Sequence, residues 1–145
     1  MSMGYGANFA DVIKPEALGV VVGDKKLVDG FVKKFNEYEL GEYESSDELA
    51  ETLNGDESKY FDTDRAAFKK LEADWKKISS KFKEVTGLDI FVEYHDSENE
   101  GSCYDDVDGM YFCVGGLWQP TKKFREFKKK FGEDAITRSF YVTFG

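Results

Sequence analysis

The sequence is poor in the residues that mark secreted, metal-binding and membrane proteins. Its 145 residues include two cysteines, two prolines and a single histidine. Two thiols cannot build the disulfide framework of a small secreted domain, and one histidine cannot supply the clusters of common metal centres. No stretch approaches the ~20 consecutive apolar residues of a membrane span, and the N-terminus lacks the basic-then-apolar pattern of a signal peptide. We therefore expect a protein of the reduced cytoplasm.

The sequence is rich in aromatic and charged residues. Apolar residues make up 41% of the chain and aromatic residues 16%, with 13 phenylalanines, so we expect a phenylalanine-rich core. The charged fraction of 34% supplies a well-solvated surface. Few prolines and no low-complexity tract argue against disorder, and the length suits a single domain over residues 1–145.

The negative charge is concentrated in two blocks. The net charge is −9, and residues 41–64 carry nine acidic residues against one lysine. Residues 93–108 carry seven acidic residues and no lysine or arginine, whereas residues 65–92 and 109–145 are mildly basic. An acidic chain is repelled by nucleic-acid phosphates unless a local basic face overcomes the field. The charge pattern therefore disfavours nucleic-acid binding and favours a basic protein partner or a cation.

Hydrophobic periodicity predicts helices in the first half of the chain and strands mainly in the second. A helical spacing of apolar residues indicates helices, and strict alternation indicates strands. Residues 1–8 are interpreted as a loop. Residues 9–13 fit either a short strand or the start of a helix, and Pro15 with Glu16 fits a first helical turn, so the pattern over 9–23 assigns no single element. We expect an α+β fold in which N-terminal helices are followed by a ββαβ unit and pack on a small, mainly antiparallel sheet. The predicted helices cover 24–40, 45–53, 63–86 and 121–131, and the predicted strands cover 88–95, 109–117 and 136–144.

Cap residues delimit the first two predicted helices. Asp24 is expected to cap the start of the first, and Gly41 to end it. Ser45 with Glu48 three residues later forms a capping-box pattern that opens the second helix.

The predicted helix over 63–86 carries the most regular apolar pattern. We expect Asp62 or Thr63 to cap its start and Gly87 to end it. Its apolar residues follow spacings of three and four, which makes a heptad seam of about two and a half heptads. Such a seam either forms a homodimer or packs against other elements of the same chain. The seam consists of Phe68, Leu71, Trp75, Ile78, Phe82 and Val85.

The acidic loop over 96–108, between two predicted strands, is the most unusual segment. Carboxylates at its first, third and fifth positions and a glycine at the sixth imitate the start of an EF-hand calcium loop. The imitation is incomplete, because the third and fifth residues are Glu rather than Asp or Asn, and the twelfth is Val107 rather than Glu. A divalent-cation site, with Ca²⁺ held by Asp96, Glu98 and Glu100, is the alternative function of this loop.

The same loop has the composition of a protein-binding surface. Six carboxylates within thirteen residues complement a basic partner and speed encounter, and a tyrosine among them supplies amphipathic contact area. The alternative is a hairpin tip whose charges only keep the protein soluble, because such a tip would have the same acidic composition. The predicted interaction residues are Asp96, Glu98, Glu100, Tyr104, Asp105, Asp106 and Asp108.

No catalytic signature stands out, and we expect neither an enzyme nor a cofactor. A nucleophilic pair would need His95 beside Cys103 or Cys113, and no motif surrounds either thiol. The chain has no glycine-rich phosphate loop, Walker motif or metalloprotease helix. The basic stretch over 122–130 resembles helices that bind acidic lipids or nucleic acid, but an ordinary surface helix is often equally rich in lysine.

Two segments resemble a known group of proteins. They are the run from Gly4 to Val12 (GYGANFADV) and the section between Tyr94 and Gly109 (YHD … YDDVDG). Both are similar to small uncharacterised proteins of bacteriophages and prophages, and together they cover about a fifth of the chain. The resemblance implies a bacterial cytoplasm and a small phage or host-interaction protein, and it transfers no functional residue. We therefore predict a small acidic protein that binds or inhibits a host protein through an acidic surface.

Overall fold

The described part of the chain forms a four-stranded antiparallel sheet with helices packed on it, which confirms the α+β class. The computed structural model describes residues 5–56, 59–95, 109–115 and 121–144, with side chains over 11–56, 59–95, 109–115 and 122–136. A short 3-10 helix over Glu133–Ala135 precedes the last strand. In chain order the other elements are β1 (Tyr5–Ile13), α1 (Pro15–Val22), α2 (Lys25–Asn36), α3 (Ser46–Leu53), α4 (Ala66–Thr86), β2 (Ile90–His95), β3 (Gly109–Val114), α5 (Thr121–Phe131) and β4 (Ile136–Phe144).

The sequence pattern assigns neither helix α1 nor the N-terminal strand, and the strand, β1, changes the expected topology. It lies between β3 and β4, in the strand order β2-β3-β1-β4, and pairs with β4 along its whole length. The expected loop over 1–8 is therefore wrong from Tyr5 onward, and a strand precedes the helices. Glycine and asparagine, which are unfavourable in strands, hide the pattern here. The long pairing with β4 outweighs that local preference.

Two of the predicted caps are present. The Asp24 carboxylate accepts a hydrogen bond of 3.0 Å from the backbone N–H of Leu27, and the Ser45 hydroxyl accepts one of 3.2 Å from Glu48. The end of α2 differs from the expectation, because the helix stops at Asn36 rather than at Gly41. Residues 37–40, between Asn36 and Gly41, belong to a loop that forms part of the candidate site.

The start of α4 also differs from the prediction. Neither Asp62 nor Thr63 caps it: Arg65 occupies the N-cap position and makes no side-chain cap bond. The Asp62 carboxylate instead accepts from the backbone N–H of Asp64, at 3.0 Å, in the turn before the helix. At the other end Gly87 has φ 72°, a left-handed conformation that glycine adopts at low cost, and it ends the helix as predicted.

A row of buried residues across the sheet forms the centre of the core. Strand register places Val92 opposite Phe112, Phe112 opposite Ile13, and Ile13 opposite Ile136. All four are buried. The Trp75 ring of α4 stacks on Phe112 with a centroid distance of 5.7 Å and an interplanar angle of 10°. Buried aromatic rings therefore fill part of the layer between the helices and the sheet.

The heptad seam of α4 packs inside its own chain. Phe68, Leu71, Trp75, Ile78 and Phe82 are each at most 4% exposed. Of the two interpretations of this seam, the structure shows the intramolecular one. A homodimer through the same residues would require the core to open.

Candidate interaction surface

The seven interaction residues predicted in the acidic loop lie outside the described residues. Its two flanking strands form the expected antiparallel hairpin, with His95 opposite Gly109 at the base of the loop. The His95 side chain is buried there. The part of the chain that the structure describes contains no group of three or more His, Cys, Asp or Glu residues able to hold a metal ion. Because Asp96, Glu98 and Glu100 lie outside that part, the cation-binding alternative stays a prediction.

Cys113 and His95 do not form a nucleophilic pair. Cys113 lies opposite Phe91, four positions along β2 from His95, which corresponds to about 13 Å at roughly 3.3 Å per residue. Burial raises the pKa of the Cys113 thiol to about 12, and the Glu93 and Asp11 carboxylates act in the same direction. The thiol is therefore protonated at neutral pH, the opposite of an activated nucleophile. Cys103 lies outside the described residues.

The first acidic block, residues 41–64, carries an exposed aromatic pair. Tyr43 comes from the loop between α2 and α3, and Tyr60 from the loop before α4. Their ring centroids are 6.0 Å apart, yet the two residues are 66% and 63% exposed. Leu40, on the same loop as Tyr43, is 42% exposed. We call these three residues the tyrosine surface.

A buried carboxylate ties together the two loops that carry the tyrosines. Glu44 Oε2 accepts a hydrogen bond of 2.9 Å from the backbone N–H of Gly41, within its own loop. Its Oε1 accepts one of 3.0 Å from the backbone N–H of Asp62, in the other loop. The Glu44 side chain is only 4% exposed, and Arg65 Nη2 lies 3.4 Å from Oε2. Glu44 therefore holds the two loops at a fixed separation.

Arg65 adds a second tie beneath the surface. Its Nη1 donates to the backbone carbonyl of Glu39, and its guanidinium lies over the Tyr38 ring, 5.1 Å from the centroid. The ring of the buried Phe61 also stacks on Tyr38, with a centroid distance of 5.8 Å. Burial and the nearby Glu44 carboxylate raise the pKa of the Tyr38 hydroxyl, against the opposing influence of Arg65. The phenol is consequently neutral. The contacts among the Tyr38 ring, the Phe61 ring and the Arg65 guanidinium support the two loops from below.

The tyrosine surface is flanked by acidic side chains. Glu42 precedes Tyr43, Asp62 and Asp64 follow Tyr60, and all three acidic residues are exposed. A cleft of ≈ 590 Å³ opens next to the surface, between the end of α2 and the start of α4, and Leu40 belongs to its lining. Exposed tyrosines in a fixed arrangement, surrounded by negative charge, suit contact with a basic macromolecule.

Sequence reasoning found the charge of this block but not its tyrosines. The signal was available, since two tyrosines lie in an acidic stretch and fit neither predicted helix. Their contact across 17 residues depends on the Glu44 hydrogen bonds, which no local pattern shows.

The surface has to be interpreted from its own chemistry. No family model, curated protein or solved structure matches this chain. Among the described residues, no helix has both the length and the apolar character needed to cross a membrane.

Proposed function

We propose that this chain acts by binding, and that its tyrosine surface docks on a basic surface of a protein partner in the bacterial cytoplasm. The observation that carries the proposal is the exposed Tyr43–Tyr60 pair, held in place by the buried Glu44. Two rigidly placed tyrosines supply a large contact area at low entropic cost. The phage resemblance supports a host protein as the partner.

The charge around the surface supports a basic partner in particular. Residues 41–64 carry nine acidic residues against one lysine, and Glu42, Asp62 and Asp64 are exposed beside the tyrosines. Rim charges of this kind mainly accelerate association and make it sensitive to salt, whereas central aromatic residues slow dissociation. The α4 seam is not part of the proposal, because it is buried within the chain.

The test compares capture by the parent chain with capture by a Tyr43→Ala/Tyr60→Ala variant. Immobilised protein is incubated with bacterial lysate, the bound proteins are identified by mass spectrometry, and the stoichiometric partner is purified and titrated. We expect the double variant to lose roughly 30-fold or more in affinity, as for a central aromatic hot spot. Val20→Ala is the matched control, since Val20 is 72% exposed and lies in α1.

A second variant distinguishes the two acidic segments. Neutralising the six acidic residues of the loop over 96–108 tests the interaction surface predicted from the sequence. The Tyr43→Ala/Tyr60→Ala variant tests the tyrosine surface. A partner that binds the tyrosine variant as tightly as the parent would rule out this proposal. Loss of binding only in the loop variant would move the interface to the acidic loop.

A further inference from the structure

Helix α5 has two chemically distinct faces. Phe127 is 3% exposed and packs on Phe82 of α4 with a ring-centroid distance of 6.0 Å. The opposite face presents Lys122, Arg125 and Lys129, which are exposed and surround a shallow depression of ≈ 570 Å³. These three residues fall one helical turn apart, so they form a single stripe. We call this stripe the basic face.

The cations of the basic face are not engaged by the rest of the described chain. Within that part, Lys122, Arg125 and Lys129 form no salt bridge. Four of the six lysines of α4, in contrast, lie within 4 Å of a carboxylate. These pairs are Lys70–Asp74, Lys76–Glu72, Lys81–Glu84 and Lys83–Asp89. The free charge of α5 is therefore available to an external anion.

The basic face lies far from the tyrosine surface and the acidic residues beside it. The loops of the tyrosine surface are tied to the start of α4 through Glu44 and Arg65. Helix α5 contacts the other end of α4, where Lys123 Nζ donates to the Gly87 carbonyl at 3.4 Å. The 21 residues of α4 between them span about 32 Å at 1.5 Å per residue. The Debye length at physiological salt is about 8 Å, so the acidic residues beside the tyrosines exert little repulsion there. The negative charge beside the tyrosine surface therefore does not decide what this helix binds.

We propose that the basic face binds the phosphate backbone of duplex nucleic acid without reading its sequence. The stripe is about 10 Å long, and a duplex carries one negative charge per ~1.7 Å of its axis, so several phosphates face it at once. Arg125 can pair with a phosphate through two N–H groups, and the lysines act as point charges. The stripe includes no aromatic residue for base stacking, which favours the duplex over a single strand.

The packing of α5 argues against a lipid surface as the ligand. A helix that binds membranes inserts its apolar face between the lipids. Here Phe127 is buried in the core, and Phe124 and Phe131 are half-buried on the same side. The proposal is also independent of the tyrosine surface, since different residues at a different end of α4 carry it.

The test measures binding of a short fluorescein-labelled DNA duplex of arbitrary sequence by fluorescence anisotropy. With three phosphate contacts, affinity should fall roughly 40-fold between 50 and 200 mM salt. Lys122→Ala/Arg125→Ala/Lys129→Ala should weaken binding about tenfold or more at low salt and flatten the salt dependence. Glu126 borders the same depression, so Glu126→Gln should strengthen binding a few-fold.

The control removes three exposed lysines elsewhere. Lys26→Ala/Lys69→Ala/Lys77→Ala makes the same change in net charge on α2 and α4, and we expect it to retain the affinity and salt slope of the parent. Thermal melts of both triple variants check that each of them folds. Equal loss of binding in both triples would overturn the proposal, as would no duplex binding by the parent at 50 mM salt. Equally tight binding of polyglutamate or phosphatidylserine vesicles through the same residues would also overturn it, and would assign the face to acidic proteins or lipids.

Discussion

The side-chain amide of Asn54 is hydrogen-bonded to both backbone groups of Val92. Asn54 Nδ2 donates to the Val92 carbonyl at 2.7 Å, and the Val92 N–H donates to Asn54 Oδ1 at 2.9 Å. Val92 is in the middle of β2, an outer strand of the sheet. Unpaired strand edges attract further strands, and proteins commonly cover them. Asn54 thus closes the centre of this edge as a neighbouring strand would.

Replacing Asn54 with alanine should destabilise the fold and expose the edge of β2. Two buried backbone groups lose their partner, which costs about 1–3 kcal/mol in the free energy of unfolding. The backbone of Asn54 is helical, with φ −77° and ψ −3°, so alanine introduces no strain. Urea denaturation measures the loss, and sedimentation velocity detects self-association through the exposed edge.

Asn36→Ala is the control for this prediction. Asn36 is exposed at the last position of α2, and its replacement should change stability by less than about 0.5 kcal/mol. If Asn54→Ala unfolds at the same urea concentration as the parent, the amide pair does not stabilise the edge.

Glu44 should stabilise the two loops of the tyrosine surface more than any exposed acidic neighbour. Glu44→Ala leaves two backbone N–H groups without their acceptor and removes the ion pair with Arg65, so we expect a loss of about 2–3 kcal/mol. Glu44→Gln keeps one acceptor oxygen and should cost about half as much. Hydrogen exchange should show faster amide exchange at Gly41 and Asp62 in both variants.

Glu42→Ala is the matched control, because Glu42 is exposed and lies two residues away. It should leave both stability and amide exchange unchanged. Similar effects of Glu42→Ala and Glu44→Ala would show that net charge, and not the hydrogen bonds of the Glu44 carboxylate, determines loop stability.

Local features of the fold could be predicted from the sequence because their causes are local. Asp24 and Ser45 are caps whose partners lie three residues away, and the bounds of α5 and β4 follow from apolar spacing and flanking turns. Strand β1 depends on pairing with β4, more than 120 residues later, and its own composition disfavours a strand. Nothing near it in sequence signals that pairing.

The candidate surface shows the same division between local and tertiary causes. The acidity of 41–64 is visible in the sequence, but Glu42 and Glu44 are indistinguishable there. Only the fold buries Glu44 and gives it donors from two loops. Gly41, interpreted as the end of α2, instead presents its N–H to that carboxylate.

The two lysines beside Asp74 should contribute unequally to stability. Lys34 Nζ lies 2.9 Å from one oxygen of this buried carboxylate, whereas Lys70 Nζ lies 3.7 Å from the other and its side chain is 61% exposed. Lys34→Met should cost about 1–2 kcal/mol, because it removes a charged hydrogen bond to a buried acceptor. Lys70→Met should cost less than about 0.5 kcal/mol, as is usual for an exposed pair. Equal urea midpoints for the two variants would contradict this ranking.

The Cys113 thiol should make the protein less stable in alkaline solution. Its pKa is about 12 in the folded state, chiefly because of burial, against about 9 for the exposed group. The folded state therefore keeps a proton that the unfolded chain releases. The stabilisation that results from this difference in proton binding is fully present below about pH 9. As the pH rises from 9 toward 12, the free energy of unfolding falls by up to about 1.4 kcal/mol per pH unit.

Urea denaturation of the parent and Cys113→Ala at several pH values from 7 to above 9 tests this sign. Both proteins are compared in a Cys103→Ser background, so that Cys113 is the only thiol that differs. The absolute stability of Cys113→Ala also includes the loss of packing, but the pH slope does not. Tyr38, whose pKa is also raised, contributes equally to both slopes. We expect a shallower alkaline decline in Cys113→Ala, and parallel slopes would show that the thiol titrates alike in the folded and unfolded states.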